Sequence, residues 1–489
     1  MEQTGVVAGG GVLADWISLG VLASSVPRDV VDDAVAVTGR GARRAGGKLP
    51  PHVMVYFVMA LALFADEDYA EVAARLAGAL RGWQCWDRGW DPTPGGITQA
   101  RQRLGPEPVA EVFRQVAVPV AGLDTIGAFL GPWRLMSVDG MEWDVPDTAR
   151  NRAAFGVSGG DRAAFPKIRV VTVSECGSHA AVLAAAGPAA GKGSGEQALA
   201  RQLYPRLEQD WLLIADRGFY CFADWRAAAG TGAALLWRAP GDARLPALEM
   251  LPDGSYRSVL IDQKITGRKR EALIEAARRG EDVDEGSARH VRVVEYDVPD
   301  REGNKDELIV LVTTITDYRQ ATAETLARAY HERWEHETGN AQLKTYLRGP
   351  GKVLRSGSPE LIEQEIWGYL LAHYAISALI CAAATNAGID PDRVKFRRTL
   401  RIVRRAVGPA FPPEHSRRPA KAGQGRHRQP QAPQPAPPAP FLPPRHQTRP
   451  PQQVPRQKTR RHEHPARRPG HHPARQPRKT PGSSMIDLS

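Results

Sequence analysis

Apolar positions recur at helical spacing through the first quarter of the chain. The stretch "PHVMVYFVMALALFADEDYAEVAARLAGAL" predicts two helices around an "ADEDY" break. In "TQARQRLGPEPVAEVFRQV" a Thr can cap, Gly105-Pro106 interrupts, and the helical pattern resumes. From about Trp133 the period changes. "WRLMSVDG" and "MEWDV" read as short strands separated by a Gly turn, and "KIRVVTVSEC" and "HAAVLAAAG" continue the strand signal. "GEQALARQLYPRL" reads as a helix, and "WLLIAD" as a buried strand ending at Asp216. "ALLWRA", "GSYRSVLID", "ARHVRVVEYDV" and "ELIVLVTTI" are further strands between Leu235 and Asp317. A long helix is expected over about 322–347 and another over about 359–384.

This order predicts an α/β protein in three parts. Residues 11–119 form an all-helical N-terminal domain. Residues 130–405 follow the β-β-β-α-β order of a mixed-sheet nuclease core of the ribonuclease H type. A β-rich insertion over about 235–317 is expected as a separate subdomain beside that sheet, because 121 positions separate Asp216 from Glu337 and a plain core needs only a short connection there. Residues 412–489 hold 19 Pro and few large aliphatics, so this tail is expected to be disordered.

Charge sharpens the division. The whole chain carries +11, but the tail has 16 basic and 3 acidic residues, leaving the remainder at −2. The basic balance is therefore no evidence that the folded body binds nucleic acid. The tail is either an evolved segment that attracts phosphates without sequence preference or the product of a frameshift near residues 412–425. Translating the other two frames of the gene separates these readings. Cys85, Cys176, Cys221 and Cys381 lie far apart and make no CxxC pair, which argues against a disulfide framework and for a reducing cytoplasm. Residues 1–20 lack the pattern of a signal peptide. The apolar runs Val53 to Ala65 and Leu370 to Ala384 are short of the roughly 20 residues that span a bilayer, so both are expected to be buried helices and no membrane partner is implied.

The candidate chemistry lies in three carboxylates. In "YHERWEHETGNAQLK", Tyr330, Arg333, Glu337 and Lys344 fall within an arc of roughly 60° on one helix face. One carboxylate between two cations suits a metal ligand flanked by phosphate-binding groups. A solvated face with i,i+4 ion pairs would look the same from the helix alone. "LMSVDG" and "LLIADRGF" each place an Asp, Asp139 and Asp216, at the end of an apolar strand, where a lone charge is costly to desolvate. Together the three would hold hard divalent cations for phosphodiester chemistry. Arg217 follows the second aspartate and could approach a phosphate or pair with an acid. Trp237 and Tyr256 are candidates for stacking on an extruded base or for core packing. Asp147 and Asn151 are expected to cap and turn a second hairpin. There is no GxSxG, P-loop or Cys-His signature.

At this point the chain resembles bacterial DDE transposases of the insertion-sequence-four family. The family hallmark Y-(2)-R-(3)-E-(6)-K is matched at Tyr330, Arg333, Glu337 and Lys344. "SVDGMEWDVPDTARN" and "IADRGFYCF" resemble its first and second carboxylate segments. "KLPPHVMVYFVMALALFADEDYAEVAARL" and "ITQARQRLG" resemble its N-terminal domain. The resemblance runs from about residue 11 to about 413. It implies that Asp139, Asp216 and Glu337 are the metal-binding triad, and that Tyr330, Arg333 and Lys344 hold phosphates at the transposon end. It also implies two Mg²⁺ ions, with Mn²⁺ able to substitute, and DNA ends and target DNA as partners. A hairpin intermediate and a homodimer across paired ends complete the expectation. Met141 stands where the family often has Thr. A nuclease that cuts without joining, or a non-catalytic DNA-binding derivative, would be the alternatives.

Overall fold

The computed structural model describes residues 24–42, 48–81, 92–157, 165–298 and 307–406; the tail expected from residue 412 lies outside them. Helices α1 (Arg28–Val37), α2 (Pro51–Leu63), α3 (Tyr69–Arg81), α4 (Pro94–Leu104) and α5 (Glu107–Val116) come first. Pro51 opens α2 at a position where its missing N–H costs nothing. Every side chain from Val53 to Leu63 is buried, so α2 is apolar all round because it is enclosed all round. Helix α4 is capped by Thr93, whose Oγ1 accepts from the Gly96 N–H at 3.1 Å. Thr98, read as a possible cap, lies inside the helix and donates to the Pro94 carbonyl at 2.9 Å.

The second part is one sheet. Its strands are β1 (Phe129–Leu130), β2 (Trp133–Asp144), β3 (Lys167–Glu175), β4 (Ala181–Pro188), β5 (Trp211–Ala215), β6 (Ala234–Ala239), β7 (Glu249–Met250), β8 (Tyr256–Ile261), β9 (Ala288–Val298) and β10 (Glu307–Thr313). Helices α6 (Ala149–Phe155), α7 (Glu196–Leu203), α8 (Phe222–Ala229) and α9 (Gly267–Arg278) connect them. The order is β4-β3-β2-β5-β6-β10-β9-β8-β7, with β1 paired to β2. Within it β2, β3 and β4 are antiparallel, while β2, β5 and β6 are parallel. That arrangement is the ribonuclease-H-like core.

Two expectations change here. Gly140 is not a turn: β2 runs unbroken from Trp133 to Asp144 and pairs with β3 from Met136, opposite Glu175, to Asp144, opposite Lys167. The 235–317 span does not stand beside the sheet as a separate body. Its first strand, β6, is the fifth core strand, and β10 pairs antiparallel with β6 so that β9, β8 and β7 extend the same sheet. Helix α9 within this span is rich in Arg, Lys and Glu, with a single buried residue, Ala277, and so gives little apolar periodicity to read.

Past the sheet come α10 (Ala323–His331), α11 (Trp334–Ala341), a π-helical turn (Gln342–Leu347), α12 (Pro359–Asn386) and α13 (Phe396–Ala406). The single helix expected over 322–347 is thus interrupted at Glu332–Arg333 and ends in a π turn, a form concentrated at functional sites. Helix α12 is long and apolar enough to cross a membrane, yet 72% of its most apolar window is buried inside the protein. It packs against α2 in a core that also takes in Met141 and Trp143 of β2, so helical region and sheet share one hydrophobic cluster. A buried cation seals the contact. Arg101 of α4, fully enclosed, donates to Gln364 Oε1 at 2.7 Å and to the Leu361 carbonyl at 3.2 Å on α12, to Ser356 Oγ at 3.3 Å just before it, and to the Tyr69 hydroxyl.

Candidate active site

The parallel pair β2–β5 sets the first two carboxylates. Val138 is the register partner of Ala215, so Asp139 and Asp216 follow at matching positions along neighbouring strands, one strand spacing of about 4.8 Å apart. Strand β5 stops at Ala215, whereas β2 continues. Asp139 therefore sits where β2 outruns its neighbour and the sheet opens. Asp216 caps the 3₁₀ turn Arg217–Phe219, its Oδ1 accepting from the Gly218 N–H at 2.7 Å.

Helix α11 lies across this point and is fastened to it twice. Asn340 Nδ2 donates to Asp139 Oδ2 at 2.9 Å. His336 Nε2 lies 2.9 Å from the hydroxyl of Thr172, which is the register partner of Asp139 on β3. Glu337, one helical turn before Asn340, is half exposed and ion-paired with Arg333 at 2.9 Å. The Arg333 guanidinium is largely enclosed and stands 6.0 Å from the Tyr330 ring centroid. Among the described residues, the donor oxygens of Asp139, Asp216 and Glu337 do not converge within 4.8 Å of one another.

The electrostatics identify a further acid that the sequence reading missed. Burial pushes the Glu196 carboxyl upward, and Asp139 and Asp216 push it the same way. Burial likewise raises Asp139, with Asp216 adding to it, while the Gly140 N–H, Arg333 and Asn340 oppose the rise. Glu196 lies close against Gly140: a Cβ there would be 2.6 Å from the Glu196 carboxyl carbon, so a larger residue would displace that side chain. Lys344 on the π turn is half-buried; desolvation and Arg348 lower its pKa, and Glu142 and Asp139 raise it. Unneutralised negative charge among oxygen-only donors is the condition a divalent cation relieves, so the donor set fits such an ion. Glu196 carries no single-sequence signal beyond opening a helix between strands. Asn340 could have been found, since it lies about 20° outside the arc already drawn through Tyr330, Arg333, Glu337 and Lys344.

The remaining candidates separate. Arg217 is exposed on the 3₁₀ turn and makes no ion pair among the described residues. Trp237 is fully buried, edge-on to Trp225 at 5.4 Å, and so is a core residue. Tyr256 is buried with its hydroxyl on Glu295 at 2.6 Å. There is no second hairpin for Asp147 and Asn151 to turn. Asp147 pairs with Arg152, Thr148 caps α6, and Asn151 Nδ2 donates to the Pro146 carbonyl at 3.0 Å.

Comparison with known proteins bears on the family. Residues 16–114 match the family described as insertion element 4 transposase N-terminal, and residues 134–374 match the transposase DDE domain. The chain is 28% identical over 365 residues to the transposase InsG for insertion sequence element IS4 of Escherichia coli K12, covering 74% of this chain and 76% of that one. It is 28% identical over 127 residues to the putative transposase InsZ of the same organism, 25% of this chain and 42% of that one. A solved piggyBac transposase synaptic complex with hairpin DNA aligns over 83% of each chain at 8% identity, with a TM-score of 0.42. The chain belongs to the insertion-element-4 family of DDE transposases, enzymes that act on DNA and depend on divalent metal.

Proposed function

We propose that this transposase works by cut-and-paste, cleaving DNA at insertion-sequence ends and joining the freed 3′ ends to a target, with Asp139, Asp216 and Glu337 as its metal-binding triad. The observation that carries this reading is the strand register: Val138 opposite Ala215 sets Asp139 beside Asp216, and Asn340 ties Asp139 to the helix that bears Glu337. Two Mg²⁺ ions suit an oxygen-only donor set, and Mn²⁺ would substitute. When bound, the ions supply a lowered pKa to the attacking water or 3′ hydroxyl and shield the leaving oxygen.

The chain's own residues do the rest. Asn340 orients one oxygen of Asp139. Arg333 holds Glu337 by an ion pair that an arriving phosphate would compete for, releasing the carboxylate as DNA binds. Lys344 and Arg217 add positive charge on either side, and Tyr330 braces the Arg333 guanidinium. Residues 11–119 would form the end-binding domain, 130–405 the catalytic domain and 412–489 the basic tail. A homodimer across two paired ends, a hairpin on the transposon end and a cytoplasmic, nucleoid-associated location complete the reading.

The test is cleavage of a DNA fragment carrying the element's terminal repeats. Asp139→Ala, Asp216→Ala and Glu337→Ala should each abolish cleavage while end binding persists. Wild-type cleavage by any one of them removes that residue from the triad, and nicking without joined product by the unaltered protein removes the strand-transfer step.

A further inference from the structure

A second cluster of metal-type ligands lies on the same helix as Glu337 but outside the triad. His179 Nε2 is 2.8 Å from Asp392 Oδ1 and 3.0 Å from Glu335 Oε2. The three donor atoms lie within 4.8 Å of one another. They come from three distant segments: the β3–β4 turn, the first turn of α11, and the 3₁₀ turn Pro391–Arg393 that follows α12. Adjacent ligands of an octahedral ion with bonds of about 2.1 Å stand about 3.0 Å apart, and the two imidazole–carboxylate distances match that spacing.

Two further features favour a cation between these groups. The imidazole is oriented by a buried relay: Gln342 Nε2 lies 2.9 Å from His179 Nδ1, and Gln342 Oε1 lies 3.0 Å from His373 Nε2. As placed, the amide donates to His179 Nδ1, so the ring proton lies on Nε2 between the two carboxylates, and a cation bound there would take that proton's place. Negative charge is also in excess. Glu332 is pushed up to about 7 by burial and by Asp392, Glu335 and Asp390. Four carboxylates thus share one imidazole. His179 is itself the one non-glycine residue with a positive φ among the described residues, +60°.

We propose that His179, Glu335 and Asp392 form a second divalent-cation site that fastens the first turn of α11 to the sheet and to the end of α12, and so fixes the helix that presents Glu337. One imidazole with two carboxylates suits Mn²⁺ or Zn²⁺ and is too few oxygens for Ca²⁺. Glu335 precedes Glu337 by two residues, about 200° around the helix, so one helix serves two sites on different faces.

Mn²⁺ binding by the full-length Asp139→Asn/Asp216→Asn protein, in which the triad is disabled, tests this. One Mn²⁺ per chain should remain by equilibrium dialysis and by its electron paramagnetic signal, and MnCl₂ should raise the melting temperature. Adding Asp392→Asn should remove both effects. His179→Asn should do the same, Asn being chosen because it tolerates the left-handed region. Asp392 is partly exposed, so its variant keeps the test valid if the His179 change unfolds the chain. No bound Mn²⁺ in the double variant, or one that survives Asp392→Asn, overturns the site and leaves an ion-free imidazolium clamp. Binding and not cleavage is read, so the result is independent of the role proposed for the triad.

Discussion

Asn340 Nδ2 donates to Asp139 Oδ2 at 2.9 Å, joining residues 201 positions apart. The bond ties the helix of the third proposed ligand to the strand of the first. Asp139 is pushed above the ordinary carboxylate range by burial and by Asp216, and this bond is one of three interactions that hold the rise down. Asn340→Ala should therefore misplace and further neutralise Asp139 without unfolding the chain. We expect kcat for end cleavage to fall about 10–100-fold, the range seen when groups that orient metal ligands are lost, with KM for DNA little changed. The metal concentration for half-maximal rate should rise. Asn340→Asp should be worse than Ala, because it sets a fourth acid beside Asp139, Asp216 and Glu196. Equal loss in kcat and DNA affinity would assign Asn340 to DNA contact instead.

Arg333 and Lys344 differ in what they already neutralise. Arg333 is paired with Glu337 and feels Asp216, whereas Lys344 has no ion pair among the described residues and is half-buried near Glu142 and Asp139. If both meet phosphates, Lys344→Ala should flatten the log–log salt dependence of end binding by about one charge. Arg333→Ala should flatten it by less, since its pairing with Glu337 is given up on binding. Unchanged slopes for both would place these residues on a solvated face.

The sequence was most readable where chemistry and periodicity coincide. Asp139 and Asp216 end or interrupt apolar strands, but the face drawn through Tyr330, Arg333, Glu337 and Lys344 is divided among α10, α11 and the π turn by the break at Glu332–Arg333. What it could not reveal was register. A Gly after Asp139 looks like a turn residue, yet Gly140 is inside β2, paired with Val171 of β3, and the Glu196 side chain, 56 positions later, lies against it. Likewise the strands after β6 have the composition of an independent unit. Only the pairing of β10 with β6, Val312 opposite Trp237, makes them an extension of the same sheet. His179, Glu335 and Asp392 are unremarkable in sequence because they meet only through three separate turns.

Arg101 tests whether the helical region and the catalytic sheet stand or fall together. Its guanidinium is fully buried and makes no direct ion pair with a carboxylate among the described residues. A negative charge is reached through Ser356, whose hydroxyl bonds Glu365 Oε2 at 2.8 Å as well as accepting from Arg101. The guanidinium fork meets Gln364, Ser356 and the Leu361 carbonyl together, and a compact ammonium cannot reproduce that spread. Removing it strands Gln364 Oε1 and leaves Glu365 with less compensation, alongside a cavity between α4 and α12. Arg101→Ala should cost about 3–5 kcal/mol, from stranded buried acceptors at about 1–3 kcal/mol together with the cavity left between the helices, and Arg101→Lys should recover less than half of that. Urea unfolding followed by tryptophan fluorescence checks both. Because α2, α12 and the β2 residues Met141 and Trp143 share one core, the loss should move a single transition and not split it in two. A biphasic curve, with the sheet's transition unmoved, would show that the helical region folds and unfolds on its own.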